Sequence, residues 1–329
     1  MRAAEYTRRG PAAEVLRLVD RPVPDPGPGE VRVRVMASAV NPTDVKARAL
    51  RGADAAMEFP AVTPHMDGAG VIDAVGEGVD AGRIGERVWV WFAQRRRPRG
   101  TAAEWCVVPA TRAAPLPEGA SWEQGACLGI PAMTAHYAVL ADGPVEGRRV
   151  LVQGGAGAVG FYAVQIARNA GARVIATVSR PEQAARAEEA GAHAVLERHR
   201  GDLAAAIRAE APEGVHRVVE VAFGANLDLD LAVLARGGTI AAYASDAVPE
   251  PRVPFRAVML KDARLHGILI YEAPEPALQA AVRDVNDLIA AGRLRHQIGL
   301  RLPLSRIVEA QEAMEGGRVV GKILLDPSA

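Results

Sequence analysis

Cysteine is almost missing from this chain of 329 residues: Cys106 and Cys127 are the only two. Two cysteines cannot build a disulfide scaffold, and so low a number fits the reduced cytoplasm. Lysine is nearly as scarce. Only Lys46, Lys261 and Lys322 occur among 39 basic residues, and arginine supplies the rest. Together with abundant alanine, this reads as coding bias in a GC-rich genome. It leaves arginine to fill phosphate-binding roles that lysine fills elsewhere. Net charge is absent as well, with 39 basic side chains against 39 acidic ones. No overall field therefore draws the protein onto nucleic acid or an anionic membrane. No apolar run reaches the roughly 18 residues of a membrane helix. Residues 1–10 are charged and lack the apolar centre of a secretory signal. No internal repeat of useful length is present.

What is present is ordinary globular chemistry, with 49% hydrophobic and 24% charged residues. The length suits two domains or one large α/β unit. The first third reads as strands and turns. Residues 30–35 run Glu-Val-Arg-Val-Arg-Val, the period-two pattern of a half-buried strand. Residues 71–75 and 86–92 are further strand candidates, punctuated by Gly76, Gly78, Gly82 and Gly85. Short strands this close together predict a small β-barrel.

The pattern changes near Ser121. Residues 122–141 read as helix. Apolar runs at 149–153, 173–178, 194–196, 217–221, 239–243 and 265–271 then alternate with helical segments. That alternation predicts a doubly wound parallel sheet. A helix over 275–291 and a strand over 321–325 close the chain. The arginine run 95–99, broken by Pro98, reads as a solvated loop, since no aromatics interleave it as nucleic-acid stacking would require.

The strongest signal is Gln153-Gly154-Gly155-Ala156-Gly157-Ala158-Val159-Gly160. Gly155, Gly157 and Gly160 match Gly-x-Gly-x-x-Gly, with a buried strand entering and a helix leaving. Gly155 is read as the tight turn, Gly157 as the approach of backbone to pyrophosphate, and Gly160 as close helix–strand packing. The helix N-terminus adds unpaired N–H groups and positive dipole charge. After the second strand the chain reads Thr177-Val178-Ser179-Arg180, where a site for NAD carries Asp or Glu. Ser179 and Arg180, with Arg198 after the next strand, suit a 2′-phosphate. NADPH is therefore the expected cofactor.

At this point the sequence resembles the medium-chain dehydrogenase/reductase superfamily, specifically the zeta-crystallin-like NADPH:quinone oxidoreductases. The likeness runs the whole length. It rests on residues 41–44 (Asn-Pro-Thr-Asp), 67–72 with Val75-Gly76, 100–104, 123–131, Thr134-Ala135, the glycine loop and Gly321-Lys322-Ile323. It implies a GroES-like β-barrel catalytic domain plus a Rossmann doubly wound parallel sheet. The implied divisions are a catalytic domain over 1–122, a Rossmann domain over 123–264, and a last-strand region and C-terminal return over 265–329. It further implies a homodimer joined through the last Rossmann strand, near residues 265–270, while the cysteine count, charge and hydropathy already read above are what point to the cytoplasm and away from a membrane or nucleic-acid partner.

Zinc dehydrogenases share this fold, but where they carry metal ligands this chain aligns Asn41, Met66 and Ile130. His65, Cys106, Cys127 and His136 match no ligand spacing, so no metal is expected. His65 stands where glycine is common in the family. The implied reaction is hydride transfer to a quinone, with an enone, 2-alkenal or enoyl-thioester as the rival acceptor. A cofactor-binding RNA-binding or structural protein with little turnover is the alternative of another class. Asn41 is the first candidate donor to the developing oxyanion. Lys46 is a candidate donor of a proton or charged hydrogen bond. Asp44 is a third candidate, read chiefly as a structural acceptor. By the same resemblance Thr134, Gly224, Tyr243, Leu269 and Ile270 border the cofactor.

Overall fold

The computed structural model describes residues 1–49 and 56–329. The chain divides into two compact units, Met1–Ile130 with His296–Ala329, and Pro131–Arg295.

In the first unit, β1 (Arg2–Glu5) pairs antiparallel with β2 (Arg17–Asp20). Then β3 (Glu30–Val40), β4 (Asp67–Val75), β5 (Arg87–Val90), β6 (Trp105–Pro109) and β7 (Ala113–Pro115) pair antiparallel, with β3 flanked by β4 and β6. The alternation read at 30–35 holds as far as Ala37, after which Ser38, Ala39 and Val40 are buried in succession. Val31, Val33 and Val35 point inward to Ile72, Val88, Val90, Cys106 and Val108. Each such side chain, fully buried, contributes about 1.5–3 kcal/mol.

The expectation of strands and turns alone missed the helix Pro42–Ala49. Its start is written in Asn-Pro-Thr-Asp. Proline suits the first helical turn, and the carboxyl group of Asp44 reaches back to accept the N–H of Asn41 at 2.7 Å, the reciprocal half of a capping box. The single helix expected over 122–141 is two, Trp122–Ala126 and Gly129–Leu140. Ser121 and Gln124 cap the first in a complete capping box. That short helix packs on β3 and β4, which keeps it with the first unit. The borders between units fall at 130/131 and 295/296.

The second unit holds β8 (Arg149–Val152), β9 (Arg173–Val178), β10 (Ala194–Glu197), β11 (Val215–Glu220), β12 (Leu234–Ala242) and β13 (Arg264–Gly267). All pair parallel in the order β10-β9-β8-β11-β12-β13. This is the doubly wound arrangement, and its order reverses between β8 and β11, where such sheets bind ligands. Leu151, Ile175, Val218 and Ile240 form its core with Ile207, Leu227 and Leu231 from covering helices. β13 ends at Gly267, short of the expected 271; a 3-10 turn, Ile270–Glu272, follows. The helix Glu275–Ala290 buries Leu278, Ala281, Val282, Val285 and Leu288 along one face.

Back in the first unit, β14 (Ile298–Pro303) and β15 (Lys322–Asp326) complete a seven-stranded sheet, with β15 antiparallel to β3. A second core gathers Leu16, Val40, Val45, Leu302, Leu304, Ile307, Ile323 and Leu325.

Candidate active site

In the first unit the ends of β3, β4 and β15 bring polar groups together inside the protein. Asn41, Asp44, Asp67 and Lys322 are all at most 3% exposed. Asn41 Nδ2 donates to Asp67 Oδ2 at 2.8 Å, and Asn41 Oδ1 accepts from Lys322 Nζ at 2.6 Å. Lys322 also donates to the carbonyl of Val40 at 3.1 Å. Asp67 Oδ2 takes a further bond from the N–H of Ile130 at 2.9 Å. Gly129 is required here, because a Cβ at that position would lie 2.0 Å from Asp67 Oδ1. This is the physical reason for glycine in the 123–131 motif.

The electrostatics follow from burial. The carboxyl of Asp44 is pushed up to about 8, first by burial and then by the charge of Asp67. Burial raises Asp67 to about 6, with Lys322 and its hydrogen bonds pulling the other way. One buried ammonium thus faces two carboxyl groups that ionise at different pH. Asn41 is where the sequence placed a donor, but its amide is already held at both ends. Asp44 caps the helix. Lys46 is exposed on that helix. The sequence reading missed Lys322, although a lysine retained in so arginine-rich a chain was the available signal.

His65 adds a second buried chain of bonds. Its backbone is left-handed, with φ 78°, a conformation costly for any side chain. This explains why glycine suits the position. Its ring bonds Ser38 Oγ at 2.9 Å and Gln311 Nε2 at 3.3 Å. Ser38 bonds Thr101 at 2.9 Å, and Thr101 donates to the Asp67 carbonyl at 2.6 Å. Burial, then the charge of Lys322, lowers His65 to about 3, so the ring is neutral. Cys106 and Cys127 are buried, and burial pushes both thiols up to about 12. Of the arginine run, Arg97 turns inward to Glu30 at 2.6 Å.

In the second unit the glycine loop leaves β8 and enters the helix Ala158–Asn169. The left-handed residue of the turn is Gly154, φ 70°, not Gly155 as read from the motif. Gly155 is needed for another reason: a Cβ there would meet that of Ala176 on β9 at 2.7 Å. Gly160 packs as expected, with Gly154 O 2.2 Å from its missing Cβ. Ala156 is buried, Gly157 and Ala158 are exposed, and Val159 lies between. The N–H groups at this helix start present the donors that phosphate requires.

Ser179 and Arg180 are exposed just after β9. Both backbone N–H groups donate to Gln183 Oε1, at 3.0 and 3.2 Å, and the Arg180 side chain lies 3.4 Å from Glu182. Arg198 is exposed and reaches Asn226 Oδ1 at 3.4 Å. Gly224 donates its N–H to Ser245 at 2.9 Å, and a Cβ there would strike Val248 O. Tyr243 follows β12 and donates its N–H to the carbonyl of Glu220 at 3.0 Å. Thr134 and Ile270 are buried, whereas Leu269 is 56% exposed.

The glycine loop at the sheet's switch point and the buried Asn41 constellation can be set beside known proteins. Residues 27–118 match the alcohol dehydrogenase GroES-like domain, and residues 158–290 match the zinc-binding dehydrogenase family. The chain is 31% identical to quinone oxidoreductase of Homo sapiens over 329 residues, 99% of this chain and 97% of that protein. It belongs to the quinone oxidoreductase family of medium-chain dehydrogenase/reductases. Its fold agrees: a solved structure described as an NAD-dependent alcohol dehydrogenase superposes with a TM-score of 0.89 at 30% identity, covering 99% of each chain. A mycobacterial protein solved in complex with NADPH superposes at 0.85 and 30% identity, covering 99% of this chain and all of that one. The GroES-like and Rossmann architecture implied by the resemblance is thus the observed one, and members of this family are oxidoreductases.

Proposed function

We propose that the protein is an NADPH-dependent quinone oxidoreductase that works without zinc. The observation that carries this is the cofactor end of the second unit. There a glycine loop offers helix N–H groups, and Ser179 and Arg180 stand after β9 where a carboxylate would repel a 2′-phosphate. The mycobacterial NADPH complex supports the choice. Bound NADPH supplies a hydride, which with one proton reduces a quinone to its hydroquinone. Thr134, Gly224, Tyr243, Leu269 and Ile270 are assigned to the cofactor's surroundings, and Arg198 to the 2′-phosphate.

The protein's own contribution is a fixed field. Asn41 has its carbonyl on Lys322 and one N–H on Asp67, so its orientation is set before substrate arrives. A donor held in this way needs no reorganisation as charge develops. Asp44 holds the backbone N–H of Asn41, and we assign it to positioning rather than proton transfer. Lys46, exposed on the same helix, is the candidate proton source.

The aligned metal positions do not fit zinc. Asn41 has its carbonyl on an ammonium, Met66 offers a thioether, and Ile130 offers no side-chain donor. Zinc needs three or four converging N, S or O ligands. Among the described residues no group of three His, Cys, Asp or Glu side chains converges, and no helix is long and apolar enough to cross a membrane.

We further propose a homodimer formed through β13. This edge strand and its flanks expose Leu265, Leu269, Phe255, Met259 and Leu260. An apolar edge of that kind calls for a partner, and a second copy of the same edge would cover it. The two unpaired, buried thiols suit a reducing cytoplasm.

The test is consumption of NADPH with a panel of quinones and a panel of enones, each repeated with NADH. Turnover with quinones and NADPH is expected. Turnover confined to enones would move the assignment to an alkenal reductase, and binding without turnover would favour a non-enzymatic role.

A further inference from the structure

Beneath the glycine loop, two acidic side chains lie wholly inside the second unit. Glu220 ends β11 and Asp230 sits on the helix Phe223–Val233; both are 0% exposed. Among the described residues no lysine or arginine bonds either carboxyl directly. Glu220 is surrounded by donors. Its Oε1 accepts the N–H of Ala222, and Asn226 Nδ2 lies 3.1 and 3.2 Å from its two oxygens. Asp230 Oδ1 accepts from Gln153 Nε2 at 2.8 Å. The second carboxyl oxygen, Asp230 Oδ2, is buried with no hydrogen-bond partner among the described residues, and the charge of Glu220 acts on it together with burial.

From Gln153 the direction of every bond is fixed. Because its Nε2 points at Asp230, its Oε1 faces Thr177 and accepts that hydroxyl at 2.7 Å. Thr177 has then given its only proton, so it accepts, and the N–H it accepts is that of Gly154 at 3.1 Å. Gly154 is the left-handed residue that opens the loop. A second branch runs from Glu220 through Asn226 to Arg198.

We propose that Glu220 and Asp230 form a buried carboxyl pair that sets the glycine loop through Gln153 and Thr177, making both of them positioning residues for dinucleotide binding. The proposal rests on the cofactor reading above and goes beyond it by naming what holds the loop in shape. It carries a pH dependence. Burial, then the charge of Glu220, keeps the Asp230 carboxyl well above the usual carboxylate range. Ionisation of Asp230 at alkaline pH would place an unpaired negative charge inside the protein beside Glu220 and release the loop. The ionisable groups facing the pair are Tyr243, whose phenol burial and Glu220 push upward, and Arg198 through Asn226.

The experiment measures the NADPH dissociation constant from pH 6 to 10 (about neutral to well above it) for the wild type and for Asp230→Asn, Asp230→Leu and Thr177→Val. Amide exchange at 150–160 is followed in the same ligand-free proteins. Asp230→Asn keeps an acceptor and a donor, so it should bind within about twofold of wild type near neutrality and lose the alkaline weakening. Thr177→Val, a near-isosteric change, should weaken binding about tenfold, the size of one lost hydrogen bond, and speed exchange at Gly154. Asp230→Leu should do both. Wild-type affinity and exchange in Thr177→Val would overturn the relay, even if the Asp230 variants failed to fold. So would equal alkaline weakening in Asp230→Asn and wild type. A wild type that binds no NADPH would sink the cofactor reading, while exchange at Gly154 would still decide the relay.

Discussion

The ammonium of Lys322 lies 2.6 Å from the side-chain carbonyl of Asn41, with both residues buried. Two strands distant in sequence, β3 and β15, meet to make this contact. The lysine does two things through it. It fixes which way the Asn41 amide faces, and it places a positive charge beside Asp67 without a metal.

Replacing Lys322 with Met should therefore act on the site more than on the cofactor. The expected result is a fall in kcat of roughly a hundredfold, the cost of misplacing one preorganised donor, with the NADPH dissociation constant little changed. Stability should drop by about 3 kcal/mol, because breaking a buried pair strands the remaining charge. Steady-state kinetics beside a denaturant titration checks both. An unchanged kcat would show that Asn41 needs no such support.

Asp44 gives a pH prediction with a definite sign. Its folded-state pKa of about 8 stands above the ordinary 3.8. The stability it contributes is therefore present in acid and is lost as pH rises from about 4 through about 8. Asp44→Asn cannot ionise and escapes that loss. The stability of the variant relative to wild type should rise across this window, by no more than about 1.4 kcal/mol per pH unit, and level off above it. A difference that does not vary with pH would contradict the buried, protonated Asp44.

Much of this was legible in the residues. The glycine loop lies between a buried strand and a helix, so pattern and context agreed. Alternation at 30–35 showed the core face of β3. The helix at Pro42 was missed because it is short and its apolar positions are few, although Asp44 as its cap was written in the sequence. The contact with Asp67 that requires glycine at 129 reaches some sixty residues back along the chain, and no local pattern records it. The Glu220–Asp230 pair was missed for the same reason, whereas Lys322 carried a signal, the scarcity of lysine, that went unused. A charged residue inside a protein is unremarkable in sequence until the fold shows what surrounds it.

Cofactor choice is open to direct engineering. The double replacement Ser179→Asp, Arg180→Ala puts a carboxylate where the 2′-phosphate is expected. It should shift the ratio of kcat/KM for NADPH over NADH toward NADH by about ten- to a hundredfold, or roughly 1.4–2.8 kcal/mol. An unmoved ratio would assign the phosphate to other residues, Arg198 first.

The exposed apolar edge at β13 predicts a change of assembly. Leu265→Lys with Phe255→Glu should convert a dimer to a monomer in sedimentation at micromolar concentration, while the folded state survives, since both side chains lie at the surface. A wild type that sediments as a monomer would remove the proposed interface.

The most direct test of the central claim is to mix the protein with NADPH and a quinone and follow loss of the dihydronicotinamide absorbance together with hydroquinone formed, after exhaustive treatment with a zinc chelator. Equal molar loss of NADPH and gain of hydroquinone, undiminished by the chelator, is the predicted result. Activity that disappears with the chelator and returns with zinc, or NADPH that binds and is never oxidised by any quinone, would contradict it.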